Sequence, residues 1–516
     1  MEPALPTATI DTLTRPADWV IVLPVVLALM GAALTLILRQ TPRLGLMLAL
    51  LVVAAIIACE ITLLQTVVES GPVSMTMGKW LPPFGISLTA DAFGASFALA
   101  AAVVTFIVLL YAEADRPASA AGDGFHALVL LLLAGVTGSF LTGDMFNLYV
   151  WFEVMLISSF GLLVIGGRPI QLDGAVKYGF LNFLATSIFL LSLGLLYGLL
   201  GTLNMADIMR VAPLANPAAM VGVAALMLLA FGMKAAAFPV NAWLPASYHT
   251  PPAAVAALMA GLLTKVGIYA LLRTLVVVLP ATRDVLEPVL VLLAVATLVI
   301  APLGAIAETN LRRAIGFVVI GGIGAVLAGI AMPSAAGIGG AGLYIFHAML
   351  TMTALYLVAG LIEKETGELD TRRMGGLYAS SAPLSVLFLL LILGSAGVPP
   401  LLGFWPKLLL IEAGLAEASW SGSVLVGALL VNAVLTIIAG SRLWAHIFWR
   451  ADIEPPSVPV ARPARLHYLA TGGLALLIVA AGLWPNPLFE AVRIGAGDMV
   501  DPARYGAAFG LAEVTP

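Results

Sequence analysis

Phe231-Gly-Met-Lys-Ala-Ala-Ala-Phe-Pro239 sets a lysine inside an apolar run that extends roughly from 217 to 245. At about 1.5 Å per helical residue, about 20 apolar residues cross a hydrocarbon core roughly 30 Å thick, so this run is long enough to span a bilayer. Pro239 has no amide to donate, and its ring collides with a carbonyl one turn back, so the helix is expected to loosen there. Lys234 then stands beside unwound backbone in a layer where an ammonium costs roughly 2.5–3.5 kcal/mol on the insertion scale. A second stretch, Gly394-Ser-Ala-Gly-Val-Pro-Pro400 through Gly403-Phe-Trp-Pro-Lys407, repeats the arrangement: a Gly/Pro-interrupted span holding one lysine. Paired interrupted spans in two halves of a chain mark the repeats of a transporter. The plainer alternative is two unrelated proline kinks.

The rest of the chain fits that membrane setting. Of 516 residues, 61% are apolar and 10% charged, against about a quarter charged in an ordinary soluble globule. Fourteen helical spans are expected, at 19–38, 45–67, 91–112, 125–142, 144–166, 174–200, 217–245, 251–275, 286–308, 313–332, 338–362, 383–410, 421–447 and 467–485. The fold class is all-α and polytopic. Loops and helix ends after odd-numbered spans, including Arg116 and Arg462, carry fourteen of the 24 lysines and arginines, and the opposite side seven, among them Arg273. The positive-inside rule therefore puts the odd loops in the cytoplasm and both termini outside. Met1 to Trp19 holds Glu2, Asp11 and Asp18 against Arg15, unlike the basic start of a cleaved leader. Cys59, the one cysteine, lies in an apolar run, which excludes an intramolecular disulfide, a thiolate metal cluster and an iron–sulfur centre. No cofactor is expected. A net charge of -4 with few basic clusters leaves no footprint for nucleic acid.

The three remaining lysines, Lys234, Lys265 and Lys407, fall well inside spans. Any of them near a helix end could snorkel to the headgroups, but Lys265 lies near the centre of its span. Glu153, in Asp144-Met-Phe-Asn-Leu-Tyr-Val-Trp-Phe-Glu153, has no basic residue nearby in sequence and needs a partner from another helix. Lys234 is the natural candidate, since a nearby carboxylate favours the ammonium that desolvation disfavours. Glu60 is equally deep but has no evident partner. His347 and His249 are the histidines expected near a conduction route, because only histidine titrates unperturbed in the physiological range; a lone histidine in a helix is more often structural, and His249, before Thr250-Pro-Pro252 at a helix boundary, reads equally as a mouth or a plain loop. Gly337-Ile-Gly339-Gly-Ala-Gly342 matches a dinucleotide-binding pattern, yet no strand precedes it, so it reads as small residues for close helix packing.

Taken together, Gly143-Asp-Met-Phe-Asn-Leu-Tyr-Val-Trp-Phe-Glu153, Gly201-Thr-Leu-Asn-Met-Ala-Asp207, Leu262-Leu-Thr-Lys-Val-Gly-Ile-Tyr269, Arg373-Met-Gly-Gly-Leu377 and Gly397-Val-Pro-Pro-Leu-Leu-Gly-Phe-Trp-Pro-Lys407 resemble the proton-translocating antiporter-like family. That family comprises subunits of Mrp sodium/proton antiporters and of respiratory complex I. The second and fifth stretches look most like the Mrp D subunits. The resemblance implies helices 1–3 in 1–124, two inverted five-helix repeats in 125–275 and 286–447, and a last helix with a tail in 448–516. Helices 7 and 12 are then broken, and the inversion is expected to bring Lys234 onto Lys407. It further implies a mid-membrane proton axis of Glu153, Lys234, Lys265, His347 and Lys407, with His249 a possible entry. Other Mrp subunits in the cytoplasmic membrane are implied as partners, with sodium coupled through one of them. Departures are Met352, where many relatives carry another lysine, and Arg312-Arg-Ala-Ile-Gly-Phe317, which lacks the Tyr-Ser-Ser of complex I subunits. Lysine instead of glutamate at 407 also favours Mrp. The rival readings are an antiporter-like subunit of a complex I-type pump or membrane hydrogenase, and a scaffold whose polar axis is vestigial.

Overall fold

In a computed structural model of the chain, residues 16–80, 84–114, 122–451, 463–501 and 503–509 are described. Glu2, Asp11, Arg15, Arg116 and Arg462, which entered the charge argument, lie outside them. The chain begins with α1 (Leu23–Ile37) and α2 (Pro42–Ser70), then a hairpin of β1 (Val73–Thr76) and β2 (Ser87–Ala90), paired antiparallel from Val73↔Ala90 to Thr76↔Ser87. Next come α3 (Ala92–Glu113), α4 (Phe125–Leu141), α5 (Met145–Val164), α6 (Pro169–Leu200) and the short α7 (Met205–Val211). After α8 (Pro217–Ala235) stands a short α9 (Trp243–Ser247). The next span, Ala253–Val278, is built from α10 (Ala253–Leu258), a π-helical turn at Met259–Leu263, α11 (Thr264–Leu272) and a second π-helical stretch at Arg273–Val278. Then follow α12 (Pro280–Ala307), α13 (Leu311–Ala331), α14 (Ala335–Thr366) and the single turn α15 (Leu377–Ser380). The chain closes with α16 (Ala382–Ala396), α17 (Phe404–Ala416), α18 (Trp420–Trp444), α19 (Arg465–Leu483), α20 (Asn486–Val500) and α21 (Ala503–Ala507).

Local sequence sets many of these boundaries. Asp91, Asp144, Asn310 and Ser334 accept backbone N–H bonds at the starts of α3, α5, α13 and α14, satisfying donors that a helix leaves free. Proline occupies the first turn of α2, α6, α8, α12 and α16, where its missing N–H costs nothing.

Among the described residues, twelve helices are long and apolar enough to cross a membrane, and Phe125–Leu141 and Ala382–Ala396 are shorter apolar helices. The protein is a multi-pass, all-helical membrane protein. Burial orders the helices: the apolar window of the span Ala253–Val278 is 100% buried, those of α13 and α14 nearly so, while those of α1, α2 and α6 are mostly exposed. Lys265 therefore rides on the innermost helix, and lipid-facing snorkelling is ruled out for it. The glycines of the rejected dinucleotide pattern bring α14 against its neighbours: a Cβ on Gly340 would lie 2.8 Å from Leu410, and one on Gly342 2.3 Å from Phe93.

The two ends of the bundle differ. One carries the β-hairpin, the bridges Leu88↔Thr142 and Asp144↔Asn204, and the C-terminal α20 and α21. The opposite end carries the bridge Asn310↔Asp370 and the ion pairs Arg312–Glu363, Arg313–Glu308 and Arg372–Asp370. There the backbone N–H of Asp370, together with that of Leu369 and the charge of Arg373, holds the Glu368 carboxyl below its usual range.

Candidate functional site

Lys234 is the next-to-last residue of α8, which stops as Ala236 turns into the left-handed region at φ 61°. The Met233 carbonyl accepts from Ala236 N at 3.2 Å and from Trp243 Nε1 at 3.0 Å, so this helix end is also capped from α9. The ammonium lies 5.1 Å from the centroid of the Phe152 ring, and Phe152, Phe189 and Phe231 pack together around it. Glu153 is its electrostatic neighbour but not in ion-pair contact, and Glu153 Oε1 is buried with no hydrogen-bond partner. A buried orphan acceptor marks a place where a donor or a water belongs. Close backbone approach joins this end of α8 to α11: a Cβ on Gly267 would lie 2.9 Å from Ala235 N and 3.1 Å from Lys234 Cβ.

Lys265 is 1% exposed, and its Nζ donates to Ala260 O at 2.5 Å and to Thr264 Oγ1 at 3.2 Å. Ala260 sits in the π-helical turn, and its carbonyl accepts the ammonium. His347, on α14, is fully buried; Nδ1 meets Thr351 Oγ1 at 3.1 Å and Nε2 has no partner. Its charged neighbours are Lys407 and Lys265. A Cβ on Gly403 would come within 2.8 Å of the His347 Nε2 and Cε1, so the ring edge abuts the backbone before α17.

Lys407 completes the row. α16 ends at Ala396, with Gly397 left-handed at φ 91°, and Lys407 Nζ reaches back from α17 to donate to Ala396 O at 2.7 Å. A cation at a helix C-terminus is favoured by the unpaired carbonyls there. Asn432 Oδ1 on α18 accepts from the same ammonium at 3.3 Å, while Asn432 Nδ2 donates to Leu298 O on α12 at 2.8 Å. A Cβ on Gly397 would lie 2.7 Å from Lys407 Cδ, so only glycine leaves room for the lysine stem here.

The structure thus gathers Lys265, His347 and Lys407 on one side and Glu153 and Lys234 on the other, joined through the packing of α11 on α8. His249 is not brought to this row: it lies half-buried near the opposite end, with Nδ1 2.9 Å from Pro245 O and Arg312, Arg313 and Glu308 as charged neighbours. Lys234 lies two residues before the left-handed Ala236, whereas Lys407 lies ten residues after the left-handed Gly397. One expectation is corrected: Arg273, placed from sequence among the loops and helix ends, is 3% exposed inside the span and paired with Asp91 at 2.5 Å. Glu60 is fully buried, and neither carboxyl oxygen has a hydrogen-bond partner. Sequence reasoning missed Asn432, although an asparagine in an apolar span is the kind of costly polar residue that found the lysines. Phe152, the ring beneath Lys234, gave no signal among so many apolar neighbours. Among the described residues no three His, Cys, Asp or Glu side chains group as metal ligands.

Residues 142–436 match the family described as NADH:quinone oxidoreductase/Mrp antiporter, TM. The D subunit of the Na(+)/H(+) antiporter of Bacillus subtilis is 34% identical over 94% of this chain and 98% of its own. A chain in the structure of the Mrp complex from a Dietzia species superposes with TM-score 0.87 at 27% identity, covering 96% of this chain and 100% of that one. A chain of the membrane-bound sulfane sulfur reductase, an archaeal respiratory membrane complex, gives TM-score 0.85 at 26% identity, with 96% and 100% covered. A many-helix membrane bundle with basic side chains gathered in its interior defines a transporter subunit and not an enzyme. The chain belongs to the family of Mrp Na+/H+ antiporter D subunits, within the proton antiporter-like group related to complex I subunits.

Proposed function

We propose that this chain carries protons through the membrane interior as one subunit of a multisubunit sodium/proton antiporter in the cytoplasmic membrane. The observation that carries the reading is the buried group Lys265–His347–Lys407. His347 has both lysines as charged neighbours and one ring nitrogen left without a partner. A proton on Lys265 can pass to Lys407 through that ring and water, with the Ala396 and Ala260 carbonyls holding each ammonium in turn. Glu153 and Lys234 act as the switch: an ammonium resting on an aromatic ring, with its acid near but not touching, responds to small movements of that acid. At 4 Å and an effective dielectric near 20, a closed pair is worth about 4 kcal/mol, enough to gate a transfer.

The interruptions after Ala235 and Ala396, each with a left-handed residue, support reading 125–275 and 286–447 as inverted repeats with broken seventh and twelfth helices. Concentration of basic residues on loops 308–313 and 364–373 supports a cytoplasmic assignment for that end and an outer one for the hairpin end. His249, near those loops, is a proton entry from the cytoplasm in this reading.

Partners are implied by what the interior lacks. Acids near mid-membrane are few, and among the described residues no three His, Cys, Asp or Glu side chains group to hold a desolvated sodium ion. Sodium then crosses in or beside another Mrp subunit. The chain alone, reconstituted in liposomes, shows no sodium-dependent proton exchange, whereas the full complex does; robust exchange by the single chain overturns the reading. The likeness to the respiratory-complex chain favours one rival, a subunit of a redox-driven pump. Flavin or iron–sulfur subunits co-purifying with the chain would identify it.

A further inference from the structure

At the hairpin end, the helix that carries Lys265 closes on a buried cluster that the proton axis does not use. Arg273 lies eight residues beyond Lys265, about 12 Å along the helix, with Tyr269 midway. Its Nη2 donates to Asp91 Oδ2 at 2.5 Å and to Tyr269 OH at 2.7 Å. The guanidinium also lies against two rings, 5.3 Å from the centroid of Tyr269 and 4.9 Å from that of Tyr505 on α21. Tyr269 OH in turn donates to Phe140 O at 3.1 Å, tying α11 to α4. Asp91, Tyr269, Arg273 and Tyr505 are all at most 3% exposed.

The cover over this cluster is the C-terminal pair α20 and α21. Asp498 on α20 is 2% exposed and forms an ion pair with Arg504 at 3.0 Å, yet neither of its carboxyl oxygens receives a hydrogen bond. Arg273 Nη1 is likewise buried without a partner, and Asp498 has Arg273 and Asp91 among its charged neighbours. Arg273 Nη1 and the Asp498 carboxylate, electrostatic neighbours of opposite sign, thus each keep hydrogen-bonding capacity that water beneath the cover can meet.

We infer that Arg273 is a fixed-charge seal at the hairpin end of the Lys265 chamber, held by Asp91 and covered by Tyr505. Unlike lysine, a guanidinium does not give up its proton at any physiological pH, so it cannot relay one. A hydronium or sodium ion approaching from that end meets a guanidinium that cannot pass a proton on, locked to Asp91, with the rings of Tyr269 and Tyr505 packed over it. Arginine serves the same purpose in narrow pores that must reject protons and cations. The seal confines exchange at Lys265 to the other openings of the axis, so that proton movement stays coupled and does not leak. The inference rests on the reading of Lys265 as a proton carrier.

The test is passive proton flux in proteoliposomes holding the full complex, without sodium, driven by a valinomycin potassium potential and read with a trapped pH dye. Arg273→Gln raises the flux by about tenfold, the effect of removing one charge at roughly 10 Å. Asp91→Asn/Arg273→Gln, which removes both charges of the pair and leaves the net charge unchanged, raises the flux less than Arg273→Gln does. Arg273→Lys, which keeps the charge but can lose a proton, falls between. If a charge variant fails to assemble with its partners on gel filtration, Tyr505→Ala opens the cover with the pair intact and carries the same expectation. Adding Lys265→Met suppresses the leak. Unchanged flux in assembled variants, or a leak that persists after Lys265→Met, overturns the seal. Failure of the underlying transport reading registers separately, as sodium-driven exchange that survives Lys265→Met in the otherwise native complex.

Discussion

Replacing Lys407 by methionine separates what the buried lysine does for the fold from what it does for transport. The native ammonium is held by Ala396 O at 2.7 Å and Asn432 Oδ1 at 3.3 Å, with its stem against Gly397. Losing the shorter, charged hydrogen bond costs about 1.5–3 kcal/mol, and the longer one adds about 0.5–1.5 kcal/mol. Against this, removing an ammonium from the membrane interior recovers roughly 2.5–3.5 kcal/mol on the insertion scale. The terms oppose each other and are of similar size, and methionine fills a similar volume, so the net change in stability stays within about 2 kcal/mol. The variant complex should therefore assemble and melt near the native temperature in detergent. Sodium-driven proton uptake into everted vesicles, followed with a pH-sensitive dye, should in contrast fall to background, because the row then lacks the carrier that takes the proton on from His347. Near-native uptake by the assembled Lys407→Met complex would refute the reasoning. Collapse of the complex would show that the balance of terms is wrong.

Two further outcomes test the other half of the row. Lys234→Ala and Glu153→Ala should each abolish exchange while the chain still inserts, and exchanging the two residues should restore more activity than either single change if their attraction matters; near-normal exchange in both single variants removes the switch. Gly267→Val, whose Cβ would press on Ala235 N at 2.9 Å, should cost about 1–3 kcal/mol of packing and depress exchange by shifting the end of α8. Gly222→Ala on the same helix, with open space around it, is the control and should leave both stability and transport intact.

The membrane setting, the fourteen apolar stretches and the lysines at positions 234, 265 and 407 were legible in the sequence, because length and polarity against hydrocarbon leave few alternatives. Proline and glycine act on the backbone locally, and α8 ends at Ala235 and α16 at Ala396, within the two Gly/Pro-interrupted stretches. The partners of the buried charges were not legible. Asn432 comes to Lys407 from 25 residues away and Asp91 to Arg273 from 182. Nothing in either local stretch encodes those approaches.

Sequence by itself determined which side chains would be expensive, since the cost of a charge in lipid depends on residue type and depth along a span. Only the tertiary structure decided how that cost is met. Lys265 uses a carbonyl in a π-helical turn, Lys407 the end of another helix and an asparagine, Lys234 the face of Phe152, and Arg273 a distant aspartate and two tyrosines. The reason is geometric: a hydrogen bond or ring contact needs its partner within a few ångströms, and in a bundle of long helices that proximity is set by which faces pack, through close approaches such as Gly267 on Lys234 and Gly403 on His347.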